Sequence, residues 1–201
     1  MDKVPYGEKD LIICRSCMEV LDVLRDQLRY PGNNLCVIPI GAQGAGKSTL
    51  GQYICANLPD TVVISLDELR LELYEECHPG EKADYTRLEG FLDGGREHIV
   101  RERALDIFRS GPFRVKYIDK MNLTCRSRKL FLLEENVNIA VIFDIPLETL
   151  LIMHGKRSDK SAVIEDGFVK NSFYSMELPF ENEFDLVIRY TPDLPGKKEG
   201  E

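Results

Sequence analysis

The chain has 201 residues, 43% of them apolar, which suits one α/β domain with a short extension at either end. Its net charge of −8 and isoelectric point near 5.1 argue against a broad basic surface for duplex nucleic acid. No apolar run approaches the roughly 20 residues that a membrane-spanning helix needs, and the charged start MDKVPYGEKDLI is not typical of a secretory signal peptide. We therefore expect a cytoplasmic protein with no membrane partner.

The first predicted element is a helix over residues 8–30, where apolar residues recur at helical spacing between charges. Such a helix either packs on the domain or offers a contact surface, and we favour packing. Cys14 and Cys17 have the spacing that begins some zinc sites, but no second Cys or His pair follows at a suitable distance, so packing roles are favoured for the six cysteines. Residues 1–34 are predicted to form an N-terminal helical flank.

Five short apolar segments then predict strands, and most of them are preceded by a helical segment. This alternation is typical of βαβ units in a parallel sheet. The predicted fold is therefore α/β and doubly wound, with a mainly five-stranded parallel sheet, over residues 35–190. Residues 191–201 have little to bury and are predicted to be a flexible tail. The predicted strands are residues 35–40, 61–65, 114–119, 138–145 and 184–190.

The segment IGAQGAGKSTL contains the Gly-x4-Gly-Lys-Ser pattern of a phosphate-binding P-loop, between a predicted strand and a predicted helix. Its glycines allow backbone amides to face a phosphate, and the helix adds its positive end. Lys47 is expected to reach the β- and γ-phosphates, Ser48 to ligate Mg²⁺, and Thr49 to donate towards the α-phosphate. The predicted cofactors are ATP or another NTP, as donor, and Mg²⁺. The predicted nucleotide-binding residues of this loop are Gly41, Ala42, Gln43, Gly44, Ala45, Gly46, Lys47, Ser48 and Thr49.

Asp67 and Arg70 follow the second predicted strand, in the segment SLDELR. In an open α/β sheet, the carboxyl end of a strand faces the ligand crevice. A carboxylate there can orient an acceptor hydroxyl, and an Arg one helical turn later can hold phosphate bidentately. Ser65 and Glu68 also make a capping box, and Asp67 suits a first helical turn, so the same pattern fits a purely structural role. The two interpretations are compatible.

Two basic segments complete the predicted site. Residues 146–163 begin as a helix and end in GKRSDK, where Lys156 and Arg157 are placed to close over a γ-phosphate or, alternatively, to satisfy helix carbonyls. The second segment surrounds the third predicted strand and either guides a short single strand or is solvated helix surface. Its basic residues are Arg114, Lys116, Lys120, Arg126, Arg128 and Lys129.

Together these motifs resemble the P-loop 5′-hydroxyl polynucleotide kinases of phage and bacterial nucleic-acid repair. The resemblance covers residues 35–190 and rests on IGAQGAGKSTL, VVISLDELR, VKYIDKMNLTCRSR and VIFDIPLETLL with the basic segment after it. It implies the architecture of P-loop kinases such as the NMP kinases. It also implies that Asp67 engages the acceptor 5′-hydroxyl, that Arg70 holds the 3′-phosphate side of the acceptor or the transferred group, and that Arg157 is the lid arginine at the donor.

The resemblance therefore implies a catalytic set of Lys47, Asp67, Arg70 and Arg157, with Arg157 also binding nucleotide. It implies an acceptor-binding set of Asp67, Arg70, Asn122 and Arg126. The chain departs from the family in two places. Asp119-Lys-Met-Asn122 is one residue longer than the usual motif, which weakens the roles of Asp119 and Asn122. Met153 stands where the family carries an Arg four residues before the lid arginine, which leaves nucleobase stacking and the donor preference open.

The predicted activity is Mg²⁺-dependent transfer of the γ-phosphoryl of ATP to a 5′-hydroxyl end of single-stranded RNA or DNA. One alternative is a P-loop kinase of a small-molecule hydroxyl, like the zeta-toxin-like and chloramphenicol-type phosphotransferases, which the acidic isoelectric point favours. Another is a non-catalytic module that senses a nucleotide and signals through residues 8–30.

Overall fold

Six parallel strands form the central sheet of the computed structural model, which describes residues 11–83, 85–93, 95–156 and 165–192. The strand order is β1-β6-β5-β2-β4-β3, and every neighbouring pair is parallel. This arrangement confirms the predicted doubly wound α/β fold. The strands are β1 (Leu11–Cys14), β2 (Leu35–Ile40), β3 (Thr61–Ser65), β4 (Val115–Asp119), β5 (Val137–Phe143) and β6 (Leu186–Tyr190).

Helices cover both faces of the sheet, so each face buries its own apolar core. The first face packs against α1 (Cys17–Leu28), α2 (Lys47–Asn57), α7 (Leu147–Gly155) and α8 (Asp166–Tyr174). The second packs against α3 (Leu66–Cys77), α4 (Tyr85–Leu92), α5 (Arg96–Ser110) and a 3₁₀ turn (Lys129–Phe131) that follows α6 (Cys125–Arg128). No helix of the described residues combines the length and the hydrophobicity that crossing a bilayer requires.

The central strand β2 is buried along its whole length, with Val37 facing one core and Ile38 the other. Pro39 lies in this strand although it has no N–H to donate. The pairing of β2 with β4 ends at Val37, so Pro39 lies beyond the last residue of β2 that pairs with β4, and its lack of an N–H costs that pairing no hydrogen bond. The freed carbonyl of Pro39 accepts instead from the side-chain amide of Asn122, at 2.9 Å.

The prediction of one helix over residues 8–30 is wrong for its first part. Residues 11–14 are the edge strand β1, which pairs with β6, and the helix begins only at Cys17, where the Ser16 hydroxyl accepts from the Glu19 amide. The run Leu-Ile-Ile-Cys is short enough to fit either period, and its β-branched residues favour the strand. The sheet therefore has six strands where five were expected.

Gly51 brings α2 unusually close to β4. A Cβ at this position would lie 2.7 Å from the ring of Tyr117, whose hydroxyl donates to the Lys47 carbonyl at 2.7 Å. We expect Gly51→Ala to lower the free energy of unfolding by about 1–3 kcal/mol, because the buried ring has to move. Urea denaturation measures this. Gly90→Ala in α4 is the matched control, since its Cβ meets no atom within 4 Å; equal stability of the two variants would contradict the packing account.

Candidate nucleotide and acceptor site

The loop after β2 has the backbone conformation that its glycines permit. A Cβ on Gly41 would lie 2.8 Å from the Cβ of Phe143, so only glycine lets the chain leave β2 this close to β5. Gly44 and Gly46 have φ angles of +81° and +92°, in the left-handed region that side chains disfavour. The Gly41 amide also donates to the Met121 carbonyl, which ties the loop to the segment after β4. The glycine spacing seen in the sequence thus corresponds to a close approach and two left-handed turns.

Helix α2 begins at Lys47 and directs its positive end into this loop. Its N-cap Gly46 has no side chain that could cap the first turn, so the first-turn amides are left to face an anion. The Lys47 side chain is buried and its Nζ donates to the carbonyls of Gly41 (3.1 Å) and Ala42 (2.7 Å). Ser48 and Thr49 are exposed beside it. Backbone amides, a helix end and an ammonium group therefore converge on one cradle with the chemistry of a phosphate site.

Asp119 lies at the carboxyl end of β4, next to β2, within hydrogen-bonding reach of the Ser48 side chain. Burial raises the pKa of Asp119, and the nearby Asp67 raises it further, while the Ser48 hydrogen bond and the charge of Lys47 lower it. A carboxylate beside this hydroxyl forms the oxygen pair that Mg²⁺ prefers in P-loop proteins. The sequence assigned Asp119 no metal-binding role, although one signal pointed to it: an apolar strand downstream of the P-loop ends in this Asp.

Asp67 and Arg70 lie in the first turns of α3, at the same edge of the sheet. The Ser65 hydroxyl accepts from the Glu68 amide, which is one half of the predicted capping box, and the Asp67 side chain remains 62% exposed. Arg70 Nη1 donates to Asp67 Oδ1, and Arg70 Nε and Nη2 both donate to Glu97. The hydrogen bond that Arg70 donates to Glu97 is the largest cause of the raised pKa of Arg70. Glu97, on α5, carried no sequence signal because only folding brings it to Arg70.

Asn122, which the resemblance places in the acceptor-binding set, is turned into the protein interior. Its side chain is buried, its φ is +52°, and its Nδ2 donates to the carbonyls of Pro39, Ile118 and Lys120. These contacts hold the ends of β2 and β4 together. Direct contact with an acceptor, as the resemblance implied, does not fit this geometry, and Asn122 supports the loop that follows Asp119.

The predicted basic cluster around β4 is divided by the structure. Arg128 is fully buried: Nε and Nη2 donate to Glu183 at 2.7 and 2.9 Å, and Nη1 donates to the carbonyls of Asn122, Leu123 and Glu177. Lys116 is also buried, with its Nζ on the Phe108 carbonyl. These side chains support the fold and do not guide a ligand.

The remaining basic residues lie at opposite ends of β4. Arg114 donates to the carbonyls of Leu28 and Asn33, at the end of the strand away from the P-loop. Lys120 and Arg126 line a cavity of about 470 Å³ at the P-loop end, together with Arg101 and the apolar side chains of Leu66 and Leu130. Only part of the cluster therefore lies where an acceptor could reach it.

The segment of the predicted lid is described only in part. Arg157 lies outside the described residues, and Lys156 is the exposed C-cap of α7. Beyond it, α8 returns to the P-loop, where the buried Ser172 hydroxyl accepts from the Gln43 amide at 3.0 Å. Helix α8, which follows α7 in the chain, therefore supports the P-loop through Ser172.

No protein-family model and no curated protein matches the sequence. Solved structures do match. One is a chain of the Pnkp1/Rnl/Hen1 RNA repair complex, with 20% identity and a TM-score of 0.54, covering 73% of this chain and 45% of that one. Another is a proposed kinase from Chloroflexus aurantiacus, with 13% identity and a TM-score of 0.53, covering 80% of this chain and 86% of that one.

At these identities the likeness concerns the fold. The protein has the fold of the P-loop kinases, as the sequence motifs predicted. It spans less than half of the length of the chain that it matches in the RNA repair complex.

Proposed function

We propose that the protein is a Mg²⁺-dependent kinase that transfers the γ-phosphoryl of ATP, or of another NTP, to a 5′-hydroxyl end of a polynucleotide. The observation that supports this most is that three charged side chains meet at one edge of the sheet: the P-loop lysine Lys47 and the carboxylates of Asp67 and Asp119. Lys47 and Asp67 are both near enough to Asp119 for their charges to shift its pKa. A phosphate cradle alone binds nucleotide. A second, exposed carboxylate beside it can orient a hydroxyl for in-line transfer.

The donor half of the site is formed by the P-loop, Lys47 and Ser48. Lys47 would exchange its present carbonyl partners for the β- and γ-phosphate oxygens, which it can do by rotation about its own side-chain bonds. Ser48 and Asp119 are the residues that would hold Mg²⁺. The ion, when bound, supplies positive charge that offsets the charge of the phosphate oxygens. Arg157 is proposed as the lid arginine on the same side.

The acceptor half of the site is formed by Asp67, Arg70 and the cavity beside them. Asp67 lies in the first turn of α3 and pairs with Arg70, and a carboxylate in this position can accept the hydroxyl proton. The fold shared with a chain of an RNA repair complex supports a polynucleotide acceptor.

A small-molecule hydroxyl is the second candidate acceptor. The acidic net charge of −8 favours it, because a long polyanion would be repelled away from the cavity, and about 470 Å³ holds a small molecule as well as one nucleotide.

Incubation with γ-labelled ATP and either 5′-hydroxyl RNA, 5′-hydroxyl DNA or a panel of small alcohols tests the proposal. We expect label at the 5′ end of the polynucleotide. We expect Lys47→Ala and Asp67→Ala to lose transfer, with Asp67→Ala still binding ATP, because its carboxylate serves the acceptor. Label that appears only on the small alcohols would replace the first candidate by the second, and near-normal transfer by Asp67→Ala would remove the role of Asp67.

A further inference from the structure

Arg70, which the family resemblance assigns to an acceptor phosphate, already has carboxylate partners. Its Nε and Nη2 hold Glu97 in the two-point geometry that would otherwise hold a phosphate, and its Nη1 contacts Asp67. Only 24% of the side chain is exposed. Releasing Glu97 to admit a phosphate would break a charge-assisted pair in a half-buried position, and this is costly. Arg70 is therefore better placed to orient Asp67 than to bind the acceptor.

The adjacent cavity contains cations that are not committed in this way. Lys120, Arg101 and Arg126 line it, and none of them forms a salt bridge with any residue that the structure describes. The one carboxylate in the lining is that of Glu97, which is held by Arg70. Arg101 Nη2 contacts His98 Nδ1 at 3.1 Å, and Lys120 Nζ lies 5.8 Å from the centre of the Phe131 ring, so these contacts leave both positive charges without a carboxylate partner. In a chain of net charge −8, the three cations around this cavity form a local concentration of positive charge.

We propose that this cavity is an anion subsite for the acceptor, and that Lys120, Arg101 and Arg126 bind the phosphate next to the nucleoside that carries the reacting hydroxyl. The inference rests on the proposed function and names the class of acceptor: a nucleotide with a phosphate on the far side of its sugar from the reacting 5′-hydroxyl. Lys120 follows Asp119 directly in the chain, so the subsite borders the transfer site.

The other walls of the cavity suit the rest of such a nucleotide. Leu66 and Leu130 give an apolar surface, and Leu130 is 44% exposed, which leaves a face for a sugar or a base. Gly95 is the N-cap of the 15-residue helix α5 and has no side chain to close its first turn, so that helix turns a positive end to the same cavity.

Calorimetric titration with uridine 3′-phosphate and with uridine, in the presence of Mg²⁺ and saturating ADP, tests the subsite without relying on transfer. ADP fills the donor site, so the pyrimidine ligands report on the acceptor side. We expect wild-type protein to bind the phosphate-bearing ligand at least about tenfold more tightly than uridine, as one or more charge-assisted hydrogen bonds to phosphate imply. In Lys120→Gln/Arg126→Gln this preference should fall to about twofold or less, with uridine and ADP binding unchanged.

Lys129→Gln is the matched control, because it removes an exposed charge from the same segment without touching the cavity lining. We expect it to keep the preference of the wild type. Equal binding of the two ligands by the wild type would overturn the inference, as would a preference that survives in the double variant. A preference that disappears equally in Lys129→Gln would show only general surface charge and would overturn it too.

The outcome is separate from that of the transfer assay. A protein that phosphorylates only small alcohols, yet prefers uridine 3′-phosphate through Lys120 and Arg126, would refute the polynucleotide activity and keep the anion subsite. A protein that transfers the phosphoryl group to RNA or DNA but shows no preference for uridine 3′-phosphate would support the polynucleotide activity and refute the anion subsite.

Discussion

Asp119→Asn is expected to lower phosphoryl transfer by at least about a thousandfold, because in the proposed site Asp119 and Ser48 would together hold Mg²⁺, whose charge is worth several kcal/mol at a transferring phosphoryl group. Amide and carboxylate have nearly the same shape, so the loop geometry should be kept. Nucleotide binding without Mg²⁺ should change little, while the Mg²⁺ concentration needed for half-maximal nucleotide binding should rise. Steady-state transfer and a Mg²⁺ titration of nucleotide binding measure the two effects.

The same substitution is expected to leave the fold more stable near neutral pH in the absence of metal. Burial and Asp67 raise the pKa of Asp119 in the folded protein, so the folded state binds this proton more readily than the unfolded state. Stability then falls as the pH rises from the unfolded pKa through the folded pKa, and the ionised Asp119 is a net cost above that window. Asparagine removes this cost, and the gain over wild type should disappear as the pH is lowered through the same window.

Asp144→Asn is the matched control, since Asp144 stands just beyond the end of β5 and pairs with Arg189. We expect it to retain transfer and to show no gain in stability. An Asp119→Asn protein with wild-type Mg²⁺ dependence would contradict the metal role, and one that is less stable at every pH would contradict the electrostatic account.

The parts of this site that could be predicted from the sequence are those in which one short segment contains the whole reason for its structure. The P-loop is such a segment, because Gly41, Gly44 and Gly46 are required by local backbone geometry and by one close neighbour. The strands β2 and β3 are others, since both were expected at the residues where they occur. The position of Asp67 at the start of a helix could also be predicted, because the end of β3 and the cap at Ser65 lie in one short segment.

The remaining parts depend on contacts between distant segments, which periodicity does not record. Four residues of β1 fit a helix as well as a strand, and pairing with β6, at the other end of the chain, decides between them. Glu97 meets Arg70 across 27 residues, and no spacing rule connects the two. The sequence placed Arg128 in a basic cluster around β4, whereas in the structure its side chain is fully buried and paired with Glu183.

Arg128→Met is expected to lower the free energy of unfolding by about 3–5 kcal/mol, because removing one member of a buried ion pair leaves the other charge buried and unpaired. Glu183, with a side chain only 6% exposed, would keep its charge without the two-point partner, and the carbonyls of Asn122, Leu123 and Glu177 would lose a donor. Urea denaturation, with the midpoint and slope fitted separately, measures the loss.

The loss should be specific to burial, and Arg103→Met tests this. Arg103 forms an equally short two-point pair with Glu76, but on the surface, where solvent screens it, so its removal should change stability little. Adding Glu183→Gln to Arg128→Met should restore part of the stability by removing the stranded charge. Arg128 also holds the carbonyls of Asn122 and Leu123, which follow Lys120 in the chain. Under conditions where Arg128→Met is still folded, it should therefore bind uridine 3′-phosphate more weakly in the cavity that Lys120 and Arg126 line. If Arg128→Met is as stable as Arg103→Met, the loop after Asp119 is held by Asn122 alone, and the buried arginine is not what positions it.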